Sequence, residues 1–255
     1  MEMIDTRPYA LGDDPRRIAW PAYARLERLL VRLAVDEAPL RLALVLDTSA
    51  SMRFGAPSKL RQASRVAAGL AAVALSGEDR VAAVAGAKGS TTLLRATSGR
   101  GGIARLLALL ERLEAGGETD LSALANAAAG AAGGRALCVI LSDLFDAQGA
   151  LAGARAARAR GHEVAIVEVL DPFEIDPPDL DGLDLEDEET GEIVSLPASG
   201  AAEAYRRGLA SHRAFVDEEA ALLGAPVLRV NTQDPFDAVV GAALSSGLLR
   251  GGAAR

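Results

Sequence analysis

The sequence has little cysteine and few aromatic residues. Cys138 is the single cysteine among 255 residues and lies in an apolar segment, which excludes an internal disulfide and is typical of a small buried side chain. Without disulfides, a reducing compartment is the simplest expectation. Aromatic residues make up 4% of the chain, whereas half of its residues are apolar, so we expect a sizeable core built mainly from Ala, Leu and Val.

The sequence also lacks basic clusters and long apolar segments. The net charge is -8 and no run of basic residues occurs, which argues against a nucleic-acid-binding surface. No uninterrupted apolar stretch reaches the roughly 18 residues that predict a membrane span. The first residues lack the basic and then apolar pattern of a signal peptide. We therefore expect a cytoplasmic protein without a membrane span.

The residues that common enzyme classes need are scarce as well. The two histidines, His162 and His212, stand in contexts that offer neither a serine nucleophile nor a second zinc ligand. No glycine-rich loop runs into a lysine and a hydroxyl to cradle phosphate. Ser49 stands where a phosphatase with Asp47 as its nucleophile would need a second carboxylate. We expect no enzymatic activity, with a magnesium-dependent hydrolase as the alternative.

The chain is organised around an apolar run, residues 42–46, that stops at Asp47. Five apolar residues without polar alternation predict a strand covered on both faces, as in a parallel sheet. Asp47 then emerges at the carboxyl end of the strand, where open α/β sheets bind ligands. Ser49 and Ser51 follow at alternate positions, and a carboxylate with two hydroxyls on one loop suits a hard cation. The metal-free alternative is a turn that caps the next helix.

Two further segments offer oxygen ligands. Residues 116–121 form a glycine turn that leads into a helix and carries the Thr119 hydroxyl. Residues 137–141 predict a second buried strand, which is followed by Asp143. If the two strands are parallel neighbours, Asp47 and Asp143 emerge at the same edge of the sheet.

From residue 41 onward the strand and helix patterns alternate, which predicts an α/β fold with a mainly parallel sheet and helices on both faces. Residues 1–37 fall outside this pattern and are predicted to be an N-terminal arm that packs on the body, residues 38–255, through Trp20. Residues 171–197 are predicted to form a β-hairpin insertion. The acidic run at 184–189 is typical of a solvated loop, with calcium binding as the alternative.

Asp47-x-Ser49-x-Ser51, with Thr119 and Asp143 following in order, resembles the metal-ion-dependent adhesion site of von Willebrand factor type A domains. Further segments resemble the bacterial domain-of-unknown-function 58 family over nearly the whole chain. These segments are Asp47-Thr48-Ser49-Ala50-Ser51-Met52, the acidic turn Glu189-Thr190-Gly191-Glu192 and the stretch Pro8-Tyr9-x-x-Gly12-Asp13-Asp14-x-Arg16-x-Ile18-x-Trp20. The chain departs from that family at Ala19, where an acidic residue is usual.

The resemblance implies a von Willebrand A-like fold and a divalent-metal site at Asp47, Ser49, Ser51, Thr119 and Asp143. The three hydroxyls would ligate Mg²⁺, with Mn²⁺ or Ca²⁺ as alternatives, and the two aspartates would orient bound waters or hydroxyls from behind. A carboxylate of a partner protein would then complete the coordination sphere. The implied partners are a MoxR-type AAA+ ATPase, for which the chain would be an adaptor or substrate recruiter, and a client protein that carries an acidic residue. A metal-free scaffold is the structural alternative.

Overall fold

The computed structural model describes residues 6–10, 13, 18–32, 41–77 and 79–246. The chain divides into two compact units, Met1–Ala38 and Pro39–Arg255. The first unit contains a two-stranded antiparallel sheet and one short helix. In chain order these elements are β1 (Thr6–Pro8), α1 (Trp20–Leu26) and β2 (Leu30–Arg32).

Part of the N-terminal motif can be placed. Asp13 forms an ion pair with Arg7, with 2.6 Å between the carboxylate and the guanidinium. Gly12 and residues 14–17 lie outside the described residues. The packing of this arm on the body through Trp20 stays a prediction.

The second unit, called the body below, alternates strands and helices. Its strands are β3 (Arg41–Asp47), β4 (Arg80–Ala87), β5 (Ser90–Thr97), β6 (Leu137–Ser142), β7 (Glu163–Leu170), β8 (Asp184–Glu186), β9 (Ile193–Ser195) and β10 (Val227–Asn231). Its helices are α2 (Lys59–Ser76), α3 (Gly99–Leu110), α4 (Leu121–Ala131), α5 (Ala147–Ala159), α6 (Pro172–Ile175), α7 (Ala201–Leu222) and α8 (Phe236–Ser245).

Six of these strands form a central sheet in the order β10-β7-β6-β3-β4-β5. All neighbours are parallel except β4 and β5, which form an antiparallel edge. Every residue of β3 from Leu42 to Asp47 is buried, which explains why this strand is apolar without alternation. The strands β8 and β9 pair separately as an antiparallel hairpin.

Helices cover both faces of the sheet. Leu44 belongs to an apolar cluster on one face, with Leu70 of α2 and Leu106 of α3. Val45 belongs to the cluster on the other face, with Leu124 of α4. Successive residues of β3 thus alternate between the two clusters, as strand geometry requires. The predicted α/β fold class, with a mainly parallel sheet and helices on both faces, is confirmed.

The topology also decides where the candidate site lies. Strands β3 and β6 are parallel neighbours, with Leu46 opposite Leu141. Asp47 and Asp143 therefore leave the sheet at the same edge, which is the carboxyl edge of the parallel strands. Among the residues described, no helix combines the length and the apolar character needed to cross a membrane.

Candidate functional site

Asp47 is a buried carboxylate at the end of β3, with none of its surface exposed. One of its oxygens accepts the backbone N–H of Ser49 at 2.9 Å, and the other accepts the hydroxyl of Ser142 at 2.7 Å. The bond to Ser49 curls the backbone directly after the strand. A short 3-10 helix, Ala50–Arg53, follows directly after the curl.

The curl brings two hydroxyl groups together. The Oγ atoms of Ser49 and Ser51 are 3.1 Å apart. Adjacent oxygen ligands of an octahedral Mg²⁺ at about 2.1 Å lie about 3.0 Å from each other. The two hydroxyls therefore have the separation that neighbouring ligands of such an ion require.

A second loop, residues 116–119, is hydrogen-bonded to the first. The Ala50 N–H donates to the Gly117 carbonyl at 2.9 Å, and the Gly116 N–H donates to the Thr48 carbonyl at 2.8 Å. Gly117 has a φ of +83°, a left-handed conformation that glycine adopts without steric cost. These bonds hold the segment that carries Thr119 against the loop after β3.

Asp143 follows β6 and is also buried. Its Oδ1 accepts the N–H of Phe145 at 3.2 Å, and its Oδ2 accepts the ammonium of Lys59 at 2.8 Å. Burial, and then the neighbouring carboxylate of Asp143, raise the pKa of Asp47 to about 6, although the hydrogen bonds from Ser142 and Ser49 favour its ionised form. The two aspartates therefore lie close enough for their charges to repel.

Lys59 is a member of the site that the sequence analysis did not predict. It is the first residue of α2 and is fully buried. Its Nζ atom donates to Asp143 and, at 2.5 Å, to Oε1 of Glu174, and it lies 4.8 Å from the ring centre of Phe145. Burial raises the pKa of Glu174, while the Lys59 ammonium opposes that shift. Lys59 is one of only two lysines among 27 basic residues, and this rarity was the feature of the sequence that could have pointed to it.

The buried charges around Asp143 do not balance when the carboxyl groups there are ionised. Asp47, Asp143 and Glu174 supply three carboxylates, and Lys59 supplies one ammonium. The described residues contain no cluster of three or more His, Cys, Asp or Glu side chains arranged to hold a metal ion. A cation here would thus be held by hydroxyls with carboxylates behind them, which is a set of hard oxygen donors. The residues present fit a divalent cation of the Mg²⁺ type.

Glu189 is the second unpredicted contact at this edge. It lies between β8 and β9, and its carboxylate accepts two hydrogen bonds from Thr119: 2.7 Å from the hydroxyl and 2.9 Å from the backbone N–H. The acidic run was expected to be a solvated loop. Within that run, Glu189 instead binds the hydroxyl that was assigned to the metal. Its position in the acidic turn gave no sign of this contact, which spans 70 residues.

Solved structures with a similar fold share little sequence with this chain. BatB from Bacteroides thetaiotaomicron aligns with a TM-score of 0.54 and 20% identity, covering 83% of this chain and 99% of that protein. An aerotolerance-related membrane protein from Bacteroides fragilis aligns with a TM-score of 0.53 and 21% identity. A weaker likeness, with a TM-score of 0.45, is to the VWA domain of SpRpn10. The observed sheet order and the helices on both faces are those of the von Willebrand A-like α/β fold predicted from the sequence.

Sequence relatives occur in mycobacteria. An uncharacterized protein of Mycobacterium tuberculosis is 32% identical over 234 residues, which cover 89% of this chain and 74% of that relative. An uncharacterized protein of Mycobacterium avium is 33% identical over 132 residues, half of this chain and 76% of that relative. The model of the family described as "Protein of unknown function DUF58" matches residues 5–215. The chain therefore belongs to the DUF58 family.

Proposed function

We propose that the body is a protein-binding module that recognises a partner's carboxylate through a divalent cation. Ser49, Ser51 and Thr119 would hold the cation, and Asp47 and Asp143 would fix the surrounding waters and hydroxyls. A bound divalent cation would supply the positive charge that attracts an acidic side chain. The von Willebrand A-like fold and the DUF58 family support a protein-interaction role.

The observation that carries this proposal is the pair of hydroxyls over Asp47. The Ser49 and Ser51 oxygens lie 3.1 Å apart on a loop whose carboxylate is fully buried and bonded to the protein on both oxygens. Such a carboxylate orients its neighbours. The two hydroxyls are hydrogen-bonded to each other, and each oxygen keeps a lone pair with which it can ligate a cation. This arrangement suits Mg²⁺, and Mn²⁺ or Ca²⁺ would use the same oxygen donors.

The partner we propose is a MoxR-type AAA+ ATPase or an acidic client protein, for which the chain acts as an adaptor or substrate recruiter. The hairpin insertion is part of the body and therefore of the same proposed module. We expect the protein to work in the cytoplasm, where such an ATPase works.

The test is binding of a purified MoxR-type ATPase to the immobilised chain in Mg²⁺ without nucleotide. Because the ATPase has its own magnesium chemistry, the decisive comparison is between variants of this chain rather than the addition of a chelator. Ser51→Ala removes one proposed ligand, and Ser64→Ala removes a hydroxyl from a half-buried position in α2. We expect the first to weaken binding at least tenfold, by about 1.4 kcal/mol, and the second to leave it unchanged. Equal binding by both variants would refute the metal-dependent mechanism.

A further inference from the structure

The carboxylate of Glu189 joins the hairpin formed by β8 and β9 directly to Thr119 of the site. Both oxygens of Glu189 are used at Thr119, one by the side-chain hydroxyl and the other by the backbone N–H. The two residues are far apart in the chain and belong to separate elements. The contact therefore joins the insertion to the candidate site directly.

The chemistry of this contact matches that of the proposed ligand. Thr119 is one of the three hydroxyl residues assigned to the cation, and it stands two residues before α4 begins at Leu121. A partner's acidic side chain, directed to the same cation, would arrive at the place where the Glu189 carboxylate already lies. The chain thus carries its own copy of the group that it is proposed to recognise.

The rest of the hairpin is held loosely. All three residues of β8 and all three of β9 are exposed. Beneath them is a cavity of about 430 Å³, whose wall includes Phe145, Phe173 and, from the site itself, Ser51. Unfilled space under exposed strands means that little packing holds the hairpin down.

The base of the insertion is anchored better. Leu180 is buried, and the Asp181 carboxylate accepts the N–H groups of Gly200 and Ala201 at 3.1 and 2.7 Å. The hairpin is therefore attached at its base and at Glu189, with a cavity between. Breaking the contact at Glu189 would free it to move while its base stays in place.

We propose that the Glu189 carboxylate is an internal ligand, which means that it occupies Thr119 in place of a partner's carboxylate. The hairpin must release Thr119 before a partner's acidic side chain can bind. This inference rests on the proposed function and describes how partner binding at that site is regulated. The site is closed by its own hairpin, and binding requires the open state. The apparent affinity for a partner is reduced by the fraction of molecules that are open.

The experiment compares Glu189→Ala with Glu188→Ala. Glu188 is the neighbouring acid, half exposed, with a long 3.9 Å pair to Arg53, so its variant matches the loss of charge without touching Thr119. The probe is a short glycine peptide with a single aspartate, titrated in Mg²⁺ and followed by NMR. Hydrogen exchange of the amides of residues 184–195 is measured in the same proteins without metal.

We expect Glu189→Ala to bind the peptide about tenfold more tightly than the wild type, since an open state populated at about 10% lowers apparent affinity by that factor. Its hairpin amides should also exchange faster, while Glu188→Ala behaves as the wild type does in both measurements. Equal peptide affinity in all three proteins would overturn the internal-ligand proposal and leave the proposed function standing. Equal hydrogen exchange would overturn it too. No magnesium-dependent binding in any of them would overturn both.

Discussion

The loop edge of the sheet and the hairpin insertion are built in opposite ways. At the edge, Asp47 is fully buried, both of its oxygens accept hydrogen bonds, and the strand behind it is covered on both faces. The hairpin has two strands of three residues each, all exposed, above a cavity. The carboxylate of Glu189 hydrogen-bonds the hairpin to the edge at Thr119, and a long ion pair joins Glu188 to Arg53.

The difference separates two tasks that a binding site has to perform. Ligand groups must be held in a fixed arrangement, which packing and hydrogen bonds at the sheet edge provide. Access to them must change, which requires a region of low local stability. Here the fixed part uses residues from three loops, and the movable part is a separate insertion.

The largest effect on the fixed region is expected from Lys59→Met. This change leaves Asp143 and Glu174 without the buried ammonium that binds both, and breaking a buried pair from one side costs about 3–5 kcal/mol. The measurement is the free energy of unfolding in urea, in metal-free buffer.

The other lysine provides the control. Lys88 pairs with Glu118 at 2.5 Å, but both side chains are more than half exposed. Lys88→Met should leave the free energy of unfolding unchanged. If Lys59→Met proves as stable as Lys88→Met, the buried ion pair does not support the site edge.

A somewhat smaller effect should separate the core strand from the hairpin. Leu44 is fully buried in β3, so Leu44→Ala should lower the free energy of unfolding by about 2–5 kcal/mol. Ile193 in β9 is 63% exposed, and Ile193→Ala should change stability by no more than about 0.5 kcal/mol. Chemical denaturation measures the free energy of unfolding of both variants. Equal losses of stability would show that the hairpin is part of the cooperative core.

The sequence predicted the parts of the molecule that depend on local pattern. The unbroken apolar run before Asp47 indicated a central strand, and that strand lies between two parallel neighbours. Since one edge of a parallel sheet collects the carboxyl ends of its strands, Asp47 and Asp143 could be placed together from topology alone. The placement of Ser49 and Ser51 on one loop after Asp47 also followed from the sequence, as two hydroxyls at alternate positions.

The contacts that the sequence did not predict are all long-range. Lys59 reaches Asp143 across 84 residues and Glu174 across 115. Glu189 reaches Thr119 from an insertion whose acidic run was interpreted as solvated. No periodicity encodes such pairings, because they depend on how loops from different elements meet. In a chain whose basic residues are nearly all arginine, a lone lysine at a helix start was the available signal.

The central claim is that hydroxyls over Asp47 bind a divalent cation, and calorimetric titration with Mg²⁺ and Mn²⁺ tests it most directly. Asp47→Asn is the variant to compare, because it keeps the shape of the side chain. Its one acceptor oxygen can still receive the Ser49 N–H, and its NH2 group faces the Ser142 hydroxyl, which can accept as well as donate. The account predicts one saturable site in the wild type and an affinity about 10–100-fold lower in the variant. If the wild type shows no saturable binding of either ion, alone or with the aspartate peptide present, the account is contradicted.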